Sequence, residues 1–263
     1  MLREWDFDSR YVSQPQILRY LEHVADRWNL RPDIDLNTAV EAAHFNEDDD
    51  RWHVRTGAGE LYTAKYLVKA VGLLSATNLP DFTGIGTFSG LYVHTGDWPA
   101  DLELAGKRVG VIGNGSTGVQ VITAIAPEVD HLTVFQRSAQ YTVPVGNGPV
   151  SKDYVADVKE NYQAIWKQVR NSGVAFGFEE STRPFESVSQ EEAHAIFQRA
   201  WENGGGFRYM FETFSDIATN DMANKAAQDF IKGKIAEIVT DPEMARKLMP
   251  KDLYAKRPLC DSG

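Results

Sequence analysis

Apolar and polar positions along the chain follow two periods, and the change between them is sharpest over residues 108–126. Arg108-Val-Gly-Val-Ile112 is a short apolar, β-branched run of the kind expected for a buried parallel strand. Beyond it Val119, Ile122, Thr123 and Ala126 recur at helical spacing, so the pattern predicts strand, tight turn, helix. A second strand follows at His131-Leu-Thr-Val-Phe135.

On the N-terminal side, Ser13-Gln-Pro-Gln16 has the form of a capping box with an early proline. Ile17, Leu18, Leu21, Val24, Ala25 and Trp28 then share one face of a predicted helix of roughly 14 residues. Strand-like runs follow at residues 34–42, 52–56 and 61–63, with turns at 46–50 and 57–59. Tyr66-Leu-Val-Lys-Ala-Val-Gly72 reads as a buried strand. The Gly- and Pro-rich stretch 80–90 reads as a connection between lobes. Residues 151–250 are helical in pattern: one long helix over 153–170, one begun by the capping box Ser189-Gln-Glu-Glu192, one over 220–239, and one opened by Asp241-Pro242. Gly204-Gly205-Gly206 reads as a flexible turn beside an aromatic cluster. The fold class is therefore α/β, a Rossmann-like lobe with an all-helical insertion.

Between the strand at 108–112 and its helix lie Gly113, Gly115 and Gly118, spaced G-x-G-x-x-G. In that context the first glycine permits the turn, the second lets backbone approach a pyrophosphate, and the third lets helix and strand pack closely. Free N–H groups at the helix start face the anion. The alternative is a glycine turn that binds nothing. An NAD-binding unit usually carries an acidic residue about 20 positions further on, for the ribose hydroxyls. Here that place holds Arg137, followed by Ser138, and a guanidinium suits a 2′-phosphate, which points to NADPH. The other reading of Arg137 is an ordinary surface arginine.

The net charge of −10 without a basic block argues against a nucleic-acid surface, although a phosphate pocket needs only a few local cations. A lone cysteine, Cys260, excludes an internal disulfide and fits a reducing cytoplasm. No apolar stretch approaches the length of a membrane span, the N-terminus does not read as a signal peptide, and no metal-ligand or Ser-His-Asp pattern is evident.

Phe88, Gly90, His94, Trp98 and Pro99 form F-x-G-x-x-x-H-x-x-x-W-P immediately before the glycine loop. This motif resembles the fingerprint of the type I Baeyer–Villiger monooxygenases. Further agreement lies at residues 134–141, 204–211 and 253–263, so the resemblance covers the whole chain. It implies a two-dinucleotide flavoprotein in which NADPH reduces FAD and O₂ forms a C4a-peroxyflavin that attacks a ketone, giving an ester or lactone. The nucleophile then belongs to the cofactor.

By the same resemblance, Gly113, Asn114, Gly115, Ser116, Thr117, Gly118 and Gln120 cradle the NADPH pyrophosphate, and Arg137, Ser138 and Lys256 meet its 2′-phosphate. Arg257 is the implied active-site arginine, a role suited to a permanently charged fork. Without the family, Lys256-Arg257 reads as a solvated pair. His94 is expected to be a structural hydrogen-bonding residue of the interdomain link and Trp98 a packing anchor. Val40, Ala70 and Gly72 are the best FAD contacts available here, with core packing nearly as good an explanation. The implied organisation is a partial FAD-binding lobe at 1–80, a linker at 81–105, the NADPH-binding lobe at 106–150, a helical insertion at 151–250 and a return to the site at 251–263. The chain is expected to be the middle of a longer enzyme, lacking the first FAD-binding glycine loop and inactive alone; the alternative is an NADPH-binding module without catalysis. The fingerprint's Trp98-Pro99 ending disfavours oxidation of amines or sulfides.

Overall fold

The computed structural model describes residues 4–255 and 260–262. The chain divides into two compact units, Gln14–Leu102 on one hand and Met1–Ser13 with Glu103–Gly263 on the other.

The unit Gln14–Leu102 opens with α1 (Gln14–Arg27), as its apolar spacing predicts. The reciprocal half of the capping box is not formed, because Gln16 Oε1 has no hydrogen-bond partner among the described residues. Three strands follow, β1 (Val40–Asn46), β2 (Arg51–Thr56) and β3 (Leu61–Ala64), in an antiparallel meander. Phe45 and Trp52 face each other across β1 and β2, their rings 5.5 Å apart, a cross-strand aromatic pair that fixes the register.

Two expectations shift here. The first strand starts at Val40, not Ile34, because Asn37 sits at φ 56° and breaks the extended run. Residues 66–72 form no strand, and Tyr66, Val68 and Val71 are 77%, 85% and 73% exposed. An apolar run becomes a strand only when a neighbour accepts its backbone hydrogen bonds, and no described strand pairs with this one.

In the other unit, β4 (Arg108–Ile112) and β5 (His131–Phe135) pair in parallel, with α2 (Ser116–Ile125) between them. This is the predicted strand–loop–helix–strand unit. β4 is not buried on both faces: Val109 and Val111 are half-buried, while Ile112 is exposed. β6 (Thr142–Pro144) pairs in parallel with β7 (Cys260–Ser262), so the end of the described chain returns beside the strand that follows Ser138.

The region 151–250 holds α3 (Lys152–Glu160), α4 (Tyr162–Asn171), α5 (Gln190–Asn203), α6 (Gly206–Phe211), α7 (Asp221–Ile238) and α8 (Pro242–Leu248). The single helix expected over 153–170 is two. Asn161 leaves helical geometry at φ −90°, ψ 11°, and its amide bonds the Asp157 carboxylate, the local competition that makes asparagine a helix breaker. Other starts agree with their caps. Ser189 Oγ accepts from the Glu192 amide and Asp241 Oδ1 from the Glu243 amide, but the Glu192 carboxylate pairs with Arg183 at 2.6 Å and does not close a box.

The core lies among these helices and β6: Val143, Phe197, Tyr209, Phe214, Ile231 and Tyr254 are essentially inaccessible. The glycine run is buried there and is not a flexible turn. A Cβ on Gly204 would lie 2.7 Å from the Gly146 backbone, and Gly205 N–H bonds Pro144 O at 2.7 Å.

Candidate functional site

The turn after β4 is built by its glycines in three different ways. Gly113 sits at φ +101°, a conformation that side chains rarely adopt, while its N–H still bonds Phe135 O at 2.9 Å. Gly115 is the extended N-cap of α2, and a Cβ there would meet nothing within 4 Å. Gly118 is tight: its Cβ would lie 2.5 Å from Gly113 O, so no larger residue lets α2 approach β4 as it does. Together they leave an open, backbone-lined hollow at the N-terminus of α2, where Gly115, Ser116, Thr117 and Gln120 are exposed. That shape fits a pyrophosphate, since Gly115, which neither packing nor a positive φ requires, faces open space.

Asn114 joins this loop to the next. Its amide donates to Gln136 Oε1 at 2.9 Å and to Ser138 O at 3.0 Å, and Gln136 Nε2 donates to Lys247 O at 2.8 Å. The glycine loop, the turn after β5 and the end of α8 are thus linked by consecutive hydrogen bonds. Arg137 and Ser138 face a cavity of about 430 Å³ between that turn and α8, lined also by Arg246, Lys247 and Lys251. Sequence reasoning named Asn114 and Ser138 but neither the bond between them nor Gln136 and the α8 cations, because contacts between positions 22 and 111 residues apart leave no periodic signal.

The segment that leads towards residues 256–257 is firmly held. Asn224, buried on α7, donates to Tyr254 O and accepts from Tyr254 N–H, both at 3.0 Å, while Tyr141 OH donates to Asp252 O at 2.6 Å. Burial and the nearby Asp252 carboxylate push the Tyr141 phenol up to about 12, so it stays protonated and keeps donating. Lys256 and Arg257 lie outside the described residues.

The fingerprint residues belong to the other unit and have local structural roles. The Phe88 ring folds back over Gly90, 2.5 Å from where a Cβ would lie, but it is an exposed side chain that could swing aside, so the contact does not by itself demand glycine. His94 Nδ1 accepts from Gly96 N–H at 3.0 Å, in line with the hydrogen-bonding role expected, and as an acceptor it places the neutral ring's proton on Nε2. Trp98, expected to anchor packing, is 43% exposed, and Pro99 is exposed beside it. Val40, Ala70 and Gly72 are likewise exposed. Among the described residues no cluster of His, Cys, Asp or Glu is arranged to hold a metal, and no helix is long and apolar enough to cross a membrane.

Comparison with known proteins agrees with this architecture. A family profile described as pyridine nucleotide-disulphide oxidoreductase matches residues 2–200. A Baeyer–Villiger monooxygenase of Pseudooceanicola batsensis is 58% identical over 263 residues, all of this chain and 48% of the relative. A phenazine N-monooxygenase of Lysobacter antibioticus is 56% identical over 256 residues, 97% of this chain and 47% of the relative. A crystal structure of cyclohexanone monooxygenase from Rhodococcus sp. Phi1 bound to NADP+ superposes with a TM-score of 0.94 at 59% identity, covering 99% of this chain and 49% of that one. The chain spans about half the length of the relatives it matches. The chain belongs to the pyridine nucleotide-disulphide oxidoreductase family, and the Baeyer–Villiger monooxygenases that its fingerprint resembles are among its close homologues.

Proposed function

We propose that this chain is the NADPH-binding half of an FAD- and NADPH-dependent Baeyer–Villiger monooxygenase, which inserts one oxygen atom of O₂ beside a ketone carbonyl and turns a cyclic ketone into a lactone. The observation that carries the reading is the glycine loop: an open hollow at a helix N-terminus, tied by Asn114 to a cationic pocket at the end of the next strand. NADPH supplies the hydride and FAD the centre at which O₂ is activated.

The chain's own residues bind and orient. The N–H groups at the start of α2 hold the pyrophosphate, aided by the positive end of that helix, while the Gly113 N–H stays bonded to Phe135 O. Arg137 and Ser138 take the 2′-phosphate, and Asn114 keeps their turn in register with the loop. Lys256 joins them, and Arg257 presents a fixed positive charge where negative charge develops during oxygen transfer. The parallel pairing of β7 with β6 supports that return, since it carries the chain back beside residues 142–144. Residues 1–80 contribute to the FAD lobe through Val40, Ala70 and Gly72, residues 81–105 form the link, 106–150 the NADPH lobe, 151–250 its helical insertion and 251–263 the return. The lone Cys260 supports a cytoplasmic location.

The 56% identity to a phenazine N-monooxygenase favours a second reading, oxygenation at nitrogen, against the expectation drawn from Trp98-Pro99. Both are tested on a polypeptide of the relatives' full length that carries this chain, hereafter the full-length protein. Ketone-dependent NADPH oxidation with lactone formation is expected; turnover of an aromatic N-heterocycle with inert ketones would replace the first reading with the second. Arg137→Ala should weaken NADPH binding by about 1–3 kcal/mol and leave NADH little changed. Equal loss for both nucleotides would remove Arg137 from the 2′-phosphate.

A further inference from the structure

We infer that the helical insertion supplies part of the nucleotide-discriminating site: Arg246 on α8 and Lys251 just beyond it complete, with Arg137, a pocket for a phosphate monoester dianion, the 2′-phosphate of NADPH. This rests on the NADPH reading above and extends it to residues 100 and more positions away from the glycine loop.

Charge is the first argument. The chain as a whole carries −10, yet the cavity between the β5 turn and α8 is lined by four cations, Arg137, Arg246, Lys247 and Lys251, against two carboxylates, Glu243 and Asp252. Lys247 and Glu243 neutralise each other at 2.9 Å, and the lysine holds the Glu243 carboxyl below its ordinary range. Among the described residues no ion pair engages Arg137, Arg246 or Lys251. With Asp252 set against them, Arg137, Arg246 and Lys251 still leave the cavity with an excess of positive charge, which a bound anion would offset. The favourable field at the C-terminal end of α8 accounts for Arg246 alone, and leaves Lys251 and Arg137 without a reason to converge.

Connection is the second. The pocket is not a loose surface patch, because residues that line it are hydrogen-bonded to the nucleotide loop. Gln136 bonds the Lys247 carbonyl on one side and Asn114 on the other, and Asn114 also holds Ser138 O. An adenosine ribose whose pyrophosphate rests on the glycine loop has its 2′ position at the end of the second strand, which is this pocket's mouth. Chemistry is the third: a dianion with three oxygens can accept more hydrogen bonds than Arg137 and Ser138 direct at it from one side, and a second arginine fork with a point charge from Lys251 would meet it from the α8 side.

The test titrates 2′,5′-ADP and 5′-AMP into the full-length protein by calorimetry, for the parent and for Arg246→Gln, Lys251→Gln and Arg137→Ala. Each α8-side variant should weaken 2′,5′-ADP roughly tenfold and leave 5′-AMP within about twofold, with an unchanged melting temperature. Arg246→Lys should retain part of the affinity, which a merely structural role would not predict. Should Arg137→Ala lose 2′,5′-ADP while both α8-side variants bind like the parent, the inference is overturned and the NADPH reading stands. Should 5′-AMP fall in step with 2′,5′-ADP, the cations act on the nucleotide generally and the inference is likewise overturned. A parent that binds the two ligands equally would sink the NADPH reading itself.

Discussion

The three glycines after β4 are predicted to fail in different ways, and the contrast between Gly115 and Gly118 is the sharpest check on the site. In Gly118→Ala the new Cβ starts 2.5 Å from Gly113 O and 3.0 Å from its carbonyl carbon, both backbone atoms. Relief to an ordinary contact needs a movement of about 0.9 Å or more between α2 and the turn, a backbone shift of the kind that costs about 1–3 kcal/mol in overpacked sites. For a domain of this size that lowers the melting temperature by roughly 2–12 °C. Gly115→Ala meets nothing within 4 Å at an extended φ of −72°, so its structural cost is limited to a poorer N-cap, about 1 kcal/mol at most. Its Cβ instead occupies the hollow assigned to the pyrophosphate. The expected pattern is thus a near-normal melt with weakened NADPH binding for Gly115→Ala, and a lowered melt for Gly118→Ala. Scanning fluorimetry and calorimetric titration of the full-length protein read the two separately. NADPH affinity within twofold of the parent's in Gly115→Ala would show that the nucleotide does not rest on this loop.

Other consequences follow from the interior and from the cofactor assignment. Asn224→Ala strips hydrogen bonds from buried Tyr254 N–H and O and from the Gln228 amide, so a loss of about 2–5 kcal/mol is expected in urea denaturation; a loss below 1 kcal/mol would refute the clamp. Tyr141 and Tyr209 have phenols raised above their ordinary value, chiefly by burial, so the native state keeps protons that the unfolded chain releases. Stability should therefore hold below about pH 10 and fall from there towards about pH 12, with Tyr141→Phe flattening part of the slope; stability rising over that window would contradict the assignment. The 263-residue chain expressed alone should purify without flavin colour, and a stoichiometric flavin spectrum would move the FAD site into it.

What the sequence revealed and what it hid divide along the range of the physics. The glycine loop was legible because a positive φ at Gly113 and a 2.5 Å approach at Gly118 each admit one residue type, and the flanking periods of two and 3.6 place them between strand and helix. Caps at Ser189 and Asp241 were legible for the same local reason, whereas Asn220, which caps α7, was read only as the start of a helical run. Strand character at 66–72 was not, since an apolar run states only that a segment is compatible with pairing, while the partner decides whether it pairs. The Asn161 break was hidden because apolar spacing runs on through it and only the residue's own amide, bonded to Asp157, ends the first helix. The α8 cations were hidden most completely, as nothing in the spacing of Arg137 and Arg246 says that they share a cavity.

The same division explains why relatives named for different chemistries stand at nearly equal distance, 58% for a Baeyer–Villiger monooxygenase and 56% for a phenazine N-monooxygenase. On the proposed reading, this half of the protein meets a nicotinamide nucleotide whichever atom is oxygenated. Apart from Arg257 and the FAD contacts of residues 1–80, which serve either chemistry, its constraints are a hollow of fixed shape, a cationic pocket and the hydrogen bonds between them, which meet the nucleotide. Residues that choose between carbon and nitrogen must then act where substrate meets flavin. A chimaera joining this chain to the remaining half of the N-monooxygenase should accordingly keep NADPH affinity and take its substrate class from the donor of that half. A substrate class that instead travelled with residues 1–263 would place the choice within this chain.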